Sequence, residues 1–128
     1  MTDYLLDTTV LVNAIRRRQG KAELLRYLLT QGGNLACSTI TIAEIFAGMR
    51  PHEKERTKEL FAQLVAHDVT SAIAAVGGLL KNEWAAKGRI LSITDMPIAA
   101  TAIMHKCVLV TDNVKDFPMS EVRLYPLK

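Results

Sequence analysis

Residues Ile93–Phe117 read ITDMPIAATAI, a three-residue link, then CVLVTDNVKDF, and this stretch decides the fold. Ile98, Ala99, Ala102 and Ile103 recur at near-helical spacing. Pro97 stands early enough in the run that its missing N–H costs nothing, so the first half is expected to be a helix. Thr94 or Ser92 can cap it. Val108, Leu109 and Val110 form a short β-branched run bounded by polar turn residues, the pattern of a fully buried parallel strand. A helix returning directly into such a strand brings Asp95 near Asp112, Asn113 and Asp116. In open parallel sheets, sites lie beyond the carboxyl ends of the strands.

Working outward, the opening repeats the motif. Tyr4–Leu6 is a short apolar strand, Asp7-Thr8-Thr9 a polar triplet at its carboxyl end, and Val10–Val12 an apolar helical start. Taken alone, Asp7 or Thr8 is a helix cap. Leu35–Cys37 makes a second strand, and Ser38–Thr41 supply hydroxyls ahead of Ile42, Ala43, Glu44, Ile45 and Phe46. Glu44 follows Thr41 by three residues, which is the spacing of a capping box. On the other reading it leaves the same sheet edge on the first helical turn and points at Asp7.

The remaining segments supply cover. Lys21–Thr30 is an amphipathic helix ending at Gly32–Gly33. Glu53–Ala66 reads as one surface helix with Leu60, Phe61, Leu64 and Val65 on its buried stripe. Ser71 can cap a long helix that closes at Gly88 and contains Gly77–Gly78, a costly pair that implies close packing on another helix or a second copy of the chain. Val122–Tyr125 is a last short strand. The order predicts an α/β domain spanning 1–128, with a central, mostly parallel sheet of four to five strands flanked by helices.

Composition excludes several classes. The 128 residues are 49% hydrophobic but only 5% aromatic, an aliphatic core of ordinary size. No apolar run approaches the roughly 20 residues of a membrane span, and Met1–Thr2–Asp3 leads into a strand without signal-peptide features, so a cytoplasmic location is expected. Cys37 and Cys107 read as reduced core thiols. The net charge is +3; with four acids withdrawn into one pocket, the rest of the chain carries +7, a surface suited to a polyanion. Arg16, Arg17, Arg18, Lys21 and Arg26 are its densest basic group. Arg16, Arg17 and Arg18, with Lys87, are the candidate RNA-backbone contacts.

Two unit charges about 4 Å apart repel by about 4 kcal/mol at an effective dielectric near 20, so Asp7, Glu44, Asp95 and Asp116 gathered together must protonate or be held by a cation. Oxygen-only donors favour Mg²⁺ or Mn²⁺. The sequence lacks a glycine-rich phosphate loop, paired Cys/His zinc spacing and a G-x-S-x-G elbow, which leaves divalent-metal hydrolysis in front.

Four segments, LLDTTVLV at 5–12, STITIAEIFAG at 38–48, ITDMPIAATAI at 93–103 and LVTDNVKDF at 109–117, resemble the signature segments of the PIN-domain nucleases. The likeness is closest to VapC-type toxins of bacterial and archaeal toxin–antitoxin pairs, and it runs from end to end. It implies a PIN-like fold and a magnesium- or manganese-dependent endoribonuclease that cuts transfer or ribosomal RNA and so inhibits translation. Asp7 and Asp95 would be metal ligands, with Glu44 and a fourth acid completing the pocket. Thr8 and Thr111 match the hydroxyl positions beside the metals. Relatives often read T-x-N-x-x-D-F at the last segment, which maps the acid to Asp116 and a polar helper to Asn113, with Asp112 as the fallback. The resemblance further implies a small VapB-type antitoxin that blocks the site, a homodimer, and a larger hetero-oligomer with the antitoxin.

Two rivals make different predictions. A metal-free ribonuclease would need histidines as acid and base. His52 is expected in a helix junction, and His67 and His105 at helix ends, none beside another motif. A catalytically silent PIN fold would bind nucleic acid or a partner protein without cutting.

Overall fold

The computed structural model describes residues 2–127; Met1, expected to lead into the first strand, and Lys128 lie outside the described residues. Five strands, β1 (Asp3–Leu6), β2 (Asn34–Ser38), β3 (Val65–His67), β4 (Val108–Val110) and β5 (Arg123–Leu124), form one sheet in the order β3-β2-β1-β4-β5. Every pairing is parallel, with Leu5 opposite Ala36 on one side and Leu109 on the other. Among the described residues six α-helices cover it: α1 (Thr8–Ile15), α2 (Lys21–Thr30), α3 (Thr39–Gly48), α4 (Lys54–Phe61), α5 (Ser71–Ala86) and α6 (Asp95–Met104).

Strand side chains alternate between faces, and the two cores divide accordingly. Leu5, Ala36 and Leu109 pack with Leu80 of α5 and with Ile98, Ala99 and Ala102 of α6. Leu6, Cys37 and Val110 pack on the other face with Val10, Leu11 and Ile15 of α1, Leu25 and Leu28 of α2 and Ile45 of α3. Both cysteines are buried and free, as expected. After β1 the chain crosses to β2 on one side, whereas β4 lies on the other. The β1–β4 boundary is therefore the topological switch point, where sheets of this kind open a crevice. Asp7 N–H donates to Val110 O at 3.0 Å and ties that boundary together.

The structure corrects some expectations and decides between others. The helix expected over Glu53–Ala66 is a 3-10 turn at Pro51–Glu53, then α4, and then the edge strand β3. Val65 is 55% exposed, so the leucine stripe ends before it and strand pairing with Ala36 takes over. Thr70, not Ser71, caps α5, accepting from Ile73 N–H at 3.2 Å. Of the glycine pair, only Gly77 meets another helix: a Cβ there would lie 2.9 Å from Pro97 N of α6, whereas Gly78 faces open space. For α6, Ser92 rather than Thr94 supplies the hydroxyl, accepting from Asp95 N–H at 3.3 Å.

Candidate active site

Asp7 is the N-cap of α1, and its Oδ1 accepts from Thr8 N–H at 2.9 Å. Its Oδ2 accepts from the Thr111 hydroxyl at 2.7 Å, across the β1–β4 boundary. The cap reading and the site reading of Asp7 are thus compatible, because one lone pair on each oxygen suffices for these bonds. Asn113 N–H donates to Thr111 Oγ1 at 3.0 Å and fixes that hydroxyl in turn.

Glu44 is not in a capping box. Ser38 caps α3 by accepting from Ile40 N–H, so the helix begins at Thr39 and Glu44 stands in its second turn. Its Oε1 accepts from the Thr8 hydroxyl at 2.7 Å, and the hydroxyls of Thr8 and Thr41 lie 3.0 Å apart. Thr41, fully buried, is a member of this network that the sequence reading used only as a cap. Asp95 opens α6. Asp116 ends a 3-10 turn, Val114–Asp116, and the next residue, Phe117, is buried in the core.

The four acids feel one another. Burial pushes the Asp7 carboxyl up, its bonds from Thr111 and Thr8 oppose this, and Glu44 and Asp116 add repulsion. Asp95 is pushed up to about 6, first by burial and then by Asp7, Asp116 and Glu44. Asp112, the fallback acid, is engaged elsewhere: its Oδ1 lies 3.1 Å from Nζ of Lys21, itself buried at the start of α2.

Among the described residues no lysine or arginine forms an ion pair with any of the four acids. The ion pairs among the described residues are Arg16–Glu53, Lys21–Asp112 and Lys87–Glu83, all outside it. The donors there are carboxylates and hydroxyls, a set that fits a hard divalent ion. Among the described residues no three His, Cys, Asp or Glu side chains converge tightly enough to hold one ion as they stand. The fit is therefore one of donor chemistry and charge alone.

The basic run is divided by the end of α1. Arg17 takes a left-handed conformation (φ 54°), with Arg17 N–H bonded to Ala14 O and Arg18 N–H to Asn13 O, a helix-ending motif that turns the three arginines apart. Arg16 binds Glu53 through Nε at 2.9 Å, which removes it from the freely exposed cations. Arg17 joins Arg26 and Arg56 around a groove floored by Leu25, Leu29 and Leu60, and Arg18 is exposed. Lys87 lies over the Trp84 ring, 4.4 Å from its centroid. His67, on β3 rather than at a helix end, stacks on His105 at 3.8 Å between ring centroids, so two of the three histidines do meet.

Comparison with known proteins agrees with this architecture. The PIN-domain family profile matches residues 4–118. Ribonuclease VapC19 of Mycobacterium tuberculosis is 36% identical over 115 residues, covering 90% of this chain and 92% of its own. Ribonuclease VapC2 of Haemophilus influenzae is 30% identical over 122 residues, covering 91% of each. Among solved structures, VapBC2 of Rickettsia felis bound to a DNA fragment from its promoter superposes with a TM-score of 0.85 at 25% identity, over 97% of this chain and 98% of that one. With a parallel sheet that opens at β1 and β4 and acids at that opening, the chain belongs to the PIN-domain family, in the branch of the VapC ribonucleases.

Proposed function

We propose that this chain is the toxin of a toxin–antitoxin pair and a divalent-metal-dependent endoribonuclease. The observation that carries the reading is the mutual repulsion of Asp7, Glu44, Asp95 and Asp116 at the switch point, with no ion pair to any of them among the described residues. Natural sequences retain such mutual repulsion where function requires it. The named relatives are ribonucleases, and the solved neighbours include toxin–antitoxin complexes. A small VapB-type antitoxin is the proposed partner, with the toxin dimeric and the pair forming a larger assembly. No helix among the described residues is long and apolar enough to cross a membrane, in keeping with a proposed cytoplasmic site of action.

Asp7, Asp95 and Asp116 would hold Mg²⁺ or Mn²⁺. Such an ion, when bound, supplies a water of lowered pKa and positive charge for the leaving oxygen. Thr111 fixes the orientation of Asp7 by its hydrogen bond. Glu44, with Oε1 held by Thr8, keeps Oε2 free to orient the attacking water and take its proton. Because water and not the ribose 2′-OH is the nucleophile, products carry 5′-phosphate and 3′-hydroxyl ends. Transfer or ribosomal RNA loops, whose bases are unstacked, are the proposed substrates.

The test is digestion of total cellular RNA by the wild type and by Asp7→Asn, with Mg²⁺, Mn²⁺ or chelator, followed by sequencing of fragment ends. Discrete metal-dependent fragments from the wild type alone are expected. Silence from both, or equal cutting by both, would replace this reading with that of a binding module; cyclic 2′,3′-phosphate ends would overturn the water mechanism.

A further inference from the structure

We propose that the groove between α1, α3 and α4 is a pocket for one unpaired nucleobase next to the bond that is cut, read by the Arg16 guanidinium and the Thr57 hydroxyl. This rests on the ribonuclease reading above and adds a determinant of sequence preference to it. The groove encloses about 200 Å³, and Glu44 is on its wall, so it adjoins the acidic cluster directly. A nucleotide whose phosphate lies at the acids has its neighbour's base within reach of the groove.

Its walls have two chemistries. Val12, Ile15, Ile45 and Met49 offer the apolar surface against which a base face gains by leaving water. Arg16 and Thr57 offer polar edges. Arg16 is locked by Nε to Glu53 at 2.9 Å and makes only a long Nη2 contact, 3.5 Å, to Gly48 O. Of its five donors, the outer Nη edge therefore remains largely free, held rigidly in place. Thr57 is fully buried, and its hydroxyl is the one buried side-chain polar atom among the described residues without a hydrogen-bond partner. Burying such a group unpaired costs stability, and a fold keeps it where a ligand or ordered water completes it.

The occupant must match both sets of groups. An apolar side chain of a partner protein would satisfy the aliphatic walls but leave Thr57 and the outer N–H groups of Arg16 unpaired. An unstacked base satisfies both, since single-stranded RNA is read by splayed bases through their faces and edges. Guanine is best served, because O6 and N7 accept two hydrogen bonds from an arginine fork.

The test compares the sequences flanking cut sites made by the wild type and by Thr57→Val, a substitution that keeps the shape and removes the hydroxyl. The wild type should show a guanine bias at one position beside the cut. Thr57→Val should lower cleavage there about tenfold and flatten the bias, with an equal or higher melting temperature. An unchanged bias would overturn the proposal, whatever the melting temperature does. A second measurement titrates the four nucleoside monophosphates into wild type while following the methyl resonances of Ile15, Ile45 and Met49. Shifts largest with GMP are expected. Absence of shifts with all four, or shifts produced only by an antitoxin chain, would overturn it. If the wild type cuts no RNA, the ribonuclease reading fails by itself and the titration still decides the pocket.

Discussion

Asp7 and Glu53 are both carboxylates buried to almost the same degree, 4% and 2% exposed, and their ionisation is driven in opposite directions. Glu53 accepts from Arg16 Nε and from Arg50 N–H, each at 2.9 Å, and these bonds, the Arg16 side chain first, hold its carboxyl down at about 2. Asp7 receives a hydroxyl and an amide but no cation, and burial with two neighbouring acids pushes it up. Desolvation leads for Asp7, whereas at Glu53 the Arg16 side chain and the Arg50 amide outweigh it, so a cationic partner separates the two directions. One node is completed within the chain, as a structural ion pair should be. The other is left short of positive charge, which a divalent ion from outside would supply.

Four substitutions can break or sharpen this contrast. Asp7→Asn should lower metal-dependent RNA cleavage by about three orders of magnitude while leaving the metal-free melting temperature unchanged or raised; a large loss of stability together with activity would make Asp7 a structural residue like Glu53. Glu53→Gln should show the reverse ranking, lowering the melting temperature by more than any neutralisation among the four acids, because Arg16 loses its charged partner. Its pH signature follows from a depressed pKa: the stabilisation is present above the ordinary 4.5 and is lost as pH falls toward about 2.

Asp95→Asn should stabilise the metal-free chain by about 1 kcal/mol at neutral pH, a figure discounted for partial solvent exposure. The folded protein binds the Asp95 proton more tightly than the unfolded chain, so stability is full below the ordinary 3.8 and is lost as pH rises through about 6. The gain from Asp95→Asn, followed by urea denaturation, should therefore vanish below that window. The same proton competes with a bound ion, and calorimetric Mn²⁺ affinity of the wild type should weaken as pH falls below about 6. The smallest effect belongs to Lys87→Gln. Its 3.8 Å pair with Glu83 is more than half exposed on both sides, and stability should change by no more than about 0.5 kcal/mol.

The contrast also explains what the sequence could reveal. The sheet was legible where strands are buried on both faces, as at Val108–Val110, because burial leaves a continuous apolar run. It was hidden at Val65–His67, an edge strand of three residues whose exposed valine continues a helical stripe by chance. In the site, Asp7, Asp95 and Asp116 stand out as candidates because each follows or opens a recognisable element, with Asp112 beside Asp116 as the fallback. Glu44 remained divided between two readings, since the choice depended on whether Ser38 or Thr41 caps α3, a boundary shift of three residues. The partners of Arg16 and Asp112 were out of reach altogether. Glu53 and Lys21 are far away in sequence, and nothing in a local window distinguishes a paired charge from a free one.

The four acids come from separate stretches of chain, Asp7 following β1 and Asp116 following β4, and β1 lies between β2 and β4 in the sheet. Most of their mutual repulsion is therefore absent from a partly folded chain that holds only β1, β2 and α3, where Asp7 meets Glu44 alone. It appears when α6, β4 and the Asp116 turn dock, so it falls on the last steps of assembly and on the first segments to open again. In the absence of a divalent ion, the acidic edge should be the region of quickest amide exchange in the sheet. Adding the ion would then act as the closing step of folding, and the ability to cut would appear together with the completed fold.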